Sequence, residues 1–100
     1  MASEVYLSKR SEKQLSKIPQ YIARKFQAWV EAVEELGLDE TRKVPGYHDE
    51  ALIGNRKGQR SARLSRAYRI IYQVEEKETD PDTMIVIEIV TVEEITKHDY

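Results

Sequence analysis

The run MIVIEIVTVEEI at residues 84–95 leaves this chain little freedom of fold. Most of its residues are β-branched or otherwise strand-forming, and their stiff χ1 torsions suit a pleated surface. A strand of that length needs neighbours to pair with. QRSARL (59–64) and AYRIIYQV (67–74) supply them, separated by a tight Ser-Arg connection. EEKETDPDT (75–83), polar and centred on Pro81, reads as the loop before the last strand. Near the amino end, VYLS (5–8) alternates and reads as a short opening strand.

Between these strands the period changes. Ser8 or Ser11 can cap a helix whose apolar stripe holds Leu15 and Ile18, and Pro19 either breaks that helix or starts the next. QYIARKFQAWVEAVEELG then sets Ile22, Phe26, Trp29, Val30, Val33 and Leu36 at three- and four-residue spacing, with Gly37 as a stop. Residues 38–58 hold Pro45, Gly46, Gly54 and Gly58 among polar side chains, which predicts an irregular loop with at most a helical turn. The order of elements predicts one α+β domain over residues 1–100. Its helical hairpin would cover one face of a mainly antiparallel sheet of about four strands.

Composition excludes several classes of chemistry. There is no cysteine, so no disulfide frame, thiolate nucleophile or cysteine-ligated metal. The two histidines, His48 and His98, lie fifty positions apart without paired ligand spacing, so no metal and no cofactor is expected. No long apolar run and no secretory leader are visible, so the cytoplasm is the expected compartment and no membrane partner is expected.

The net charge of −2 conceals a division along the chain. Residues 42–74 carry eight basic side chains against Asp49 and Glu50, whereas residues 75–100 carry nine acids against Lys77 and Lys97. A local basic block matters more to a phosphate backbone than the total does. The strand period of two sends Gln59, Ser61 and Arg63 to one face and Arg60, Ala62 and Leu64 to the other. Arg69, Ile71 and Gln73 likewise oppose Tyr68, Ile70 and Tyr72. Arg63 and Arg69 can therefore share a sheet surface and clamp a phosphate with planar forks that never deprotonate; Arg56, Arg60 and Arg66 extend the basic set. A solvated charged face, paired with the acidic segment, accounts for the same residues. His98 is a candidate proton carrier or an idle tail residue, Glu50 a base or a salt-bridge partner, and Lys57 a phosphate contact or surface lysine.

DEALIGNRKGQRSARLSRAYRIIYQV, the hydrophobic strand after it and the terminal KHDY together resemble toxins of the RelE/ParE superfamily, and within it the mRNA endoribonucleases of the YoeB and HigB types. The resemblance covers nearly the whole chain. It implies a small sheet with an N-terminal helix pair, metal-independent cleavage of mRNA in the A site of the 70S ribosome, inhibition of translation, and silencing by a cognate antitoxin in a hetero-oligomer. Glu50 matches the loop carboxylate that acts as general base in YoeB-like toxins, and Arg69 the arginine of their central strand. His98 and Tyr100 resemble a terminal His-Tyr pair, although Asp99 separates them here. Lys57, in the RKG shared with HigB-like toxins, is a further catalytic candidate, and Asp99 a weaker one.

Cleavage of this kind uses the RNA's own 2′-hydroxyl. A base takes its proton, cations stabilise the phosphorane and an acid protonates the leaving 5′-oxygen. Glu50, the Arg63–Arg69 pair and His98 fill those roles in outline. ParE-type members of the superfamily instead inhibit DNA gyrase without cutting RNA, and an inactive relative would act through antitoxin binding alone. The nuclease reading also requires that the acids of residues 75–100 stay away from the basic groove.

Overall fold

The computed structural model describes residues 2–80, 82, 83 and 85–97, Asp80 by its backbone only. Five strands form one sheet in the order β1-β5-β4-β3-β2: Ala2–Leu7, Glu50–Ala51, Gln59–Arg63, Tyr68–Asp80 and Ile85–Lys97 in chain order. The predicted α+β class holds, with one more strand than expected and with β1 running parallel to β5. The additional strand is β2, two residues of the 38–58 segment that pair Glu50 with Ser61 and Ala51 with Arg60. The same segment holds the short helix α3 (Leu38–Arg42) and 3-10 turns at Pro45–Tyr47 and Gly54–Arg56, so it is more regular than its composition suggests.

β4 extends through EEKETD, which sequence assigns to a loop. Residues 75–79 are exposed there, so their charged side chains keep their water while the backbone pairs with β5. Of the predicted loop, Asp82 and Thr83 are in a turn.

Helix α1 (Lys9–Leu15) begins at Ser8, whose hydroxyl accepts from the Ser11 amide at 3.1 Å. It lies along β5 past the end of β1. At that level β5 carries a bulge: Ile71 faces Glu94 but Tyr72 faces Val92, leaving Glu93 as an extra residue. Side chains of α1 and its cap take over the backbone groups released there. Ser11 Oγ donates to the Val92 carbonyl at 2.8 Å, Ser8 Oγ to the Glu93 carbonyl at 2.9 Å, and the Ile95 amide to Gln14 Oε1 at 2.7 Å.

Helix α2 (Gln20–Leu36) follows Pro19 and ends at Gly37, whose φ of 85° suits glycine. Its buried stripe of Ile22, Phe26, Trp29 and Val33 meets Ala62, Leu64, Ile70, Tyr72, Val90, Val92 and Ile95 of the sheet. Tyr72 lies against Trp29, ring centroids 5.4 Å apart. Leu36 departs from the predicted stripe and is 61 % exposed; Leu38, just past Gly37, is buried instead. The sheet face turned away from this core carries Ser61, Arg63, Arg69, Ile71, Glu94 and Thr96 in adjoining register.

Candidate functional site

Arg63 and Arg69 stand directly across from each other on β3 and β4. Like charges at such a position repel, so the pair is held at a cost that the rest of the sheet offsets. Both Nε atoms are buried without a hydrogen-bond partner among the described residues. Among the described residues one carboxylate approaches: Glu50 Oε1 lies 3.8 Å from Arg69 Nη1. These three side chains, with His48 and Ser61, line a cleft of about 80 Å³. A narrow cleft with two fixed guanidiniums and a single acid is suited to a phosphate group.

Glu50 is aimed by its neighbour. Asp49 points the other way, into the helix side of the sheet, where its side chain is 1 % exposed. Its Oδ1 accepts from Arg60 Nε and Nη2, each at 2.7 Å, and lies 4.0 Å from Arg42 Nε; its Oδ2 accepts from the Tyr72 hydroxyl. Burial, reinforced by the bond to Asp49 and its charge, pushes the Tyr72 phenol far above its ordinary range. Three elements thus hold one aspartate, and the residue after it emerges on the opposite face.

The residue before it, His48, also belongs to the cleft. Its backbone is left-handed (φ 42°, ψ 48°), and its amide donates to the Pro45 carbonyl at 3.2 Å, closing the Pro-Gly-Tyr turn. A non-glycine residue held this way is worth attention at a candidate site. Sequence reasoning passed over His48; the Pro-Gly turn two residues before an Asp-Glu pair was the available signal.

The remaining candidates are scattered. Arg60 lies on the opposite face from Arg63, as the strand period predicts, and is engaged with Asp49 rather than open to a phosphate at the cleft. Arg56 meets Glu94 at 2.5 Å and Gln59 at 3.4 Å. Lys57 and Arg66 are exposed, one after the second 3-10 turn and the other between β3 and β4. His98, Asp99 and Tyr100 lie outside the described residues. Among those described, no group of His, Cys, Asp or Glu is arranged to hold a metal ion.

The acidic segment mostly keeps its distance. Glu75, Glu76 and Glu78 follow Arg69 along β4 by six residues or more, roughly 20 Å at strand rise. Glu88 accepts from Ser3, and Glu93 from Gln73. Glu94 departs from the expectation: it is buried on the same face as Arg69, in the row Glu50–Ser61–Ile71–Glu94. Arg56 and Arg10, the latter at 3.3 Å, neutralise it there.

Comparison with known proteins bears on the fold and the family. A model of the ParE toxin of the type II toxin–antitoxin system parDE matches residues 5–95. No curated protein sequence matches the chain. Among solved structures, the archaeal RelE–RelB complex from Pyrococcus horikoshii OT3 contains a chain that aligns with a TM-score of 0.67 at 21 % identity, covering 97 % of this chain and 96 % of that one. The E. coli DinJ–YafQ complex gives 0.66 at 17 %, over 98 % and 94 % of the two chains. The YoeB–YefM complex from Staphylococcus aureus gives 0.65 at 14 %, over 99 % and 100 %. At these identities the structures speak for the fold, while the family match spans nine-tenths of the sequence. The chain therefore belongs to the ParE toxin family, within the RelE/ParE superfamily of type II toxin–antitoxin systems.

Proposed function

We propose that this toxin is an mRNA endoribonuclease that cuts RNA in the ribosomal A site through the RNA's own 2′-hydroxyl. The observation that carries the reading is the Arg63–Arg69 pair, fixed on adjacent strands beside Glu50. Glu50 takes the proton of the 2′-hydroxyl, whose oxygen attacks the adjacent phosphorus. Arg63 and Arg69 stabilise the charge that develops on the equatorial oxygens. The bond to the 5′-oxygen breaks, leaving a 2′,3′-cyclic phosphate, and the departing oxygen takes a proton from His98. Lys57 and Tyr100 supplement the cations and the proton transfers. DNA lacks the nucleophile and survives.

The site works in the cytoplasm, where the ribosomes are, and no helix among the described residues is long and apolar enough to cross a membrane. The protein partner is a cognate antitoxin: the structural relatives from P. horikoshii, E. coli and S. aureus occur in complexes with RelB, DinJ and YefM. It silences the toxin by covering the cationic cleft or by displacing the carboxyl end.

A defined mRNA on stalled ribosomes tests the proposal. Cleavage that survived both Glu50→Gln and His98→Gln would remove the proposed base and acid. One observation favours a second reading, inhibition of DNA gyrase without RNA cleavage: the family model that matches is the ParE one. Stoichiometric inhibition of supercoiling by a protein that leaves mRNA intact would establish that reading.

A further inference from the structure

Arg63 serves two concavities. Besides the cleft it shares with Glu50 and Arg69, it lines a groove of about 230 Å³ together with Lys25 and Ala28 of α2, Leu64, and Val44, Gly46 and Tyr47 of the turn before β2. The groove has an apolar floor and two cations, and among the described residues no carboxylate lines it. Val44 is 42 % exposed, and the space in front of Gly46 is open. Tyr47 is half-buried and packs against the core from the groove side, and burial pushes its phenol up, keeping it uncharged.

We infer that this groove is a nucleotide subsite, in which a base flanking the scissile phosphate rests against Tyr47 and Val44 while its phosphates lie on Arg63 and Lys25. The inference rests on the endoribonuclease reading and deepens it. Single-stranded nucleic acid is held where cations track the backbone and an aromatic ring offers its face to an unstacked base. Here both elements meet at a wall shared with the cleft, so one strand can enter both. A nucleotide seated in the groove delivers its neighbouring phosphate to the Arg63–Arg69 pair, which makes the groove a determinant of register and of sequence preference.

The experiment is steady-state cleavage on ribosomes programmed with mRNAs that vary the nucleotide on either side of the cut. Val44→Asp and Lys25→Glu are the informative variants, since both side chains reach solvent and leave the core alone; Tyr47→Ala is a third. Each is expected to raise KM roughly tenfold with kcat little changed, and Val44→Asp and Tyr47→Ala are expected to flatten the preference at one flanking position. Wild-type KM and preference in both Val44→Asp and Lys25→Glu would overturn the subsite while leaving the nuclease reading intact. Absence of cleavage by the wild-type toxin would overturn both together.

Discussion

Asp49 and Glu50 are consecutive residues whose carboxylates serve opposite faces of the sheet. Asp49 is 1 % exposed and fastened by Arg60, while Glu50 is 64 % exposed and 3.8 Å from Arg69. The alternation of a strand converts a structural anchor into the aim of a chemical group one residue later. Asp49→Asn is expected to leave Arg60 and Arg42 short of their counter-charge and to cost about 3 kcal/mol of stability. Urea denaturation checks it, and cleavage should fall as well because the Glu50 backbone loses its tether.

The phenol of Tyr72 supplies a pH dependence. Its native pKa is raised by burial and then by Asp49, whereas the unfolded value is about 10. A raised pKa means that the native state holds its proton longer than the unfolded state does. The stability it contributes is complete below about pH 10 and is lost as pH rises further, toward the native pKa. Denaturation midpoints should therefore fall with alkalinity in the wild type. Tyr72→Phe should show a shallower fall, after costing about 1 kcal/mol near neutrality for the lost hydrogen bond.

Activity and stability should separate at the arginine pair. Removing one of two facing cations relieves repulsion, so Arg63→Gln is expected to keep the wild-type melting temperature or raise it slightly. The same change should lower mRNA cleavage about a hundredfold by removing a donor to the phosphorane. Parallel melting curves and ribosome assays decide it, and a marked loss of stability would contradict the account.

Glu50→Gln removes a base from an exposed position. Cleavage should drop about a hundredfold or more, with a change in stability below about 1 kcal/mol, since exposed ion pairs contribute little. A chain ending at Lys97 should keep its fold, because Lys97 completes the register with Tyr68, yet lose cleavage with His98. Circular dichroism beside the ribosome assay separates the two effects.

Much of this was legible because strands encode faces directly. The period of two placed Arg63 and Arg69 together and set Arg60 against them, and the three- and four-residue spacing picked out Ile22, Phe26, Trp29 and Val33. The parallel pairing of β1 with β5 was not legible, since alternation says nothing about direction. Nor was the extension of β4: EEKETD has loop composition, and only pairing with the apolar strand opposite turns it into a strand. Leu36 has the right spacing for burial, but the helix ends one residue later and Leu38 takes the place in the core. The role of Asp49 depends on partners eleven and twenty-three positions away, a relationship that no local pattern carries.

The bulge at Glu93 has a consequence for how this chain can vary in length. Before it, the even-numbered residues Val90 and Val92 enter the core; after it, the odd-numbered Ile95 does, and Glu94 and Thr96 join the face of Arg69. A single supernumerary residue therefore re-phases the last third of the strand. Deleting Glu93 would leave Val92, Glu94 and Ile95 in plain alternation on their present faces, whereas inserting one more residue into VEEI would turn Ile95 outward and drive Glu94 and Thr96 toward the core. The turn at Asp82 and Thr83 can absorb gains and losses without changing any face. Between the two hairpin arms, length is negotiable; in the four residues beside α1, it is information.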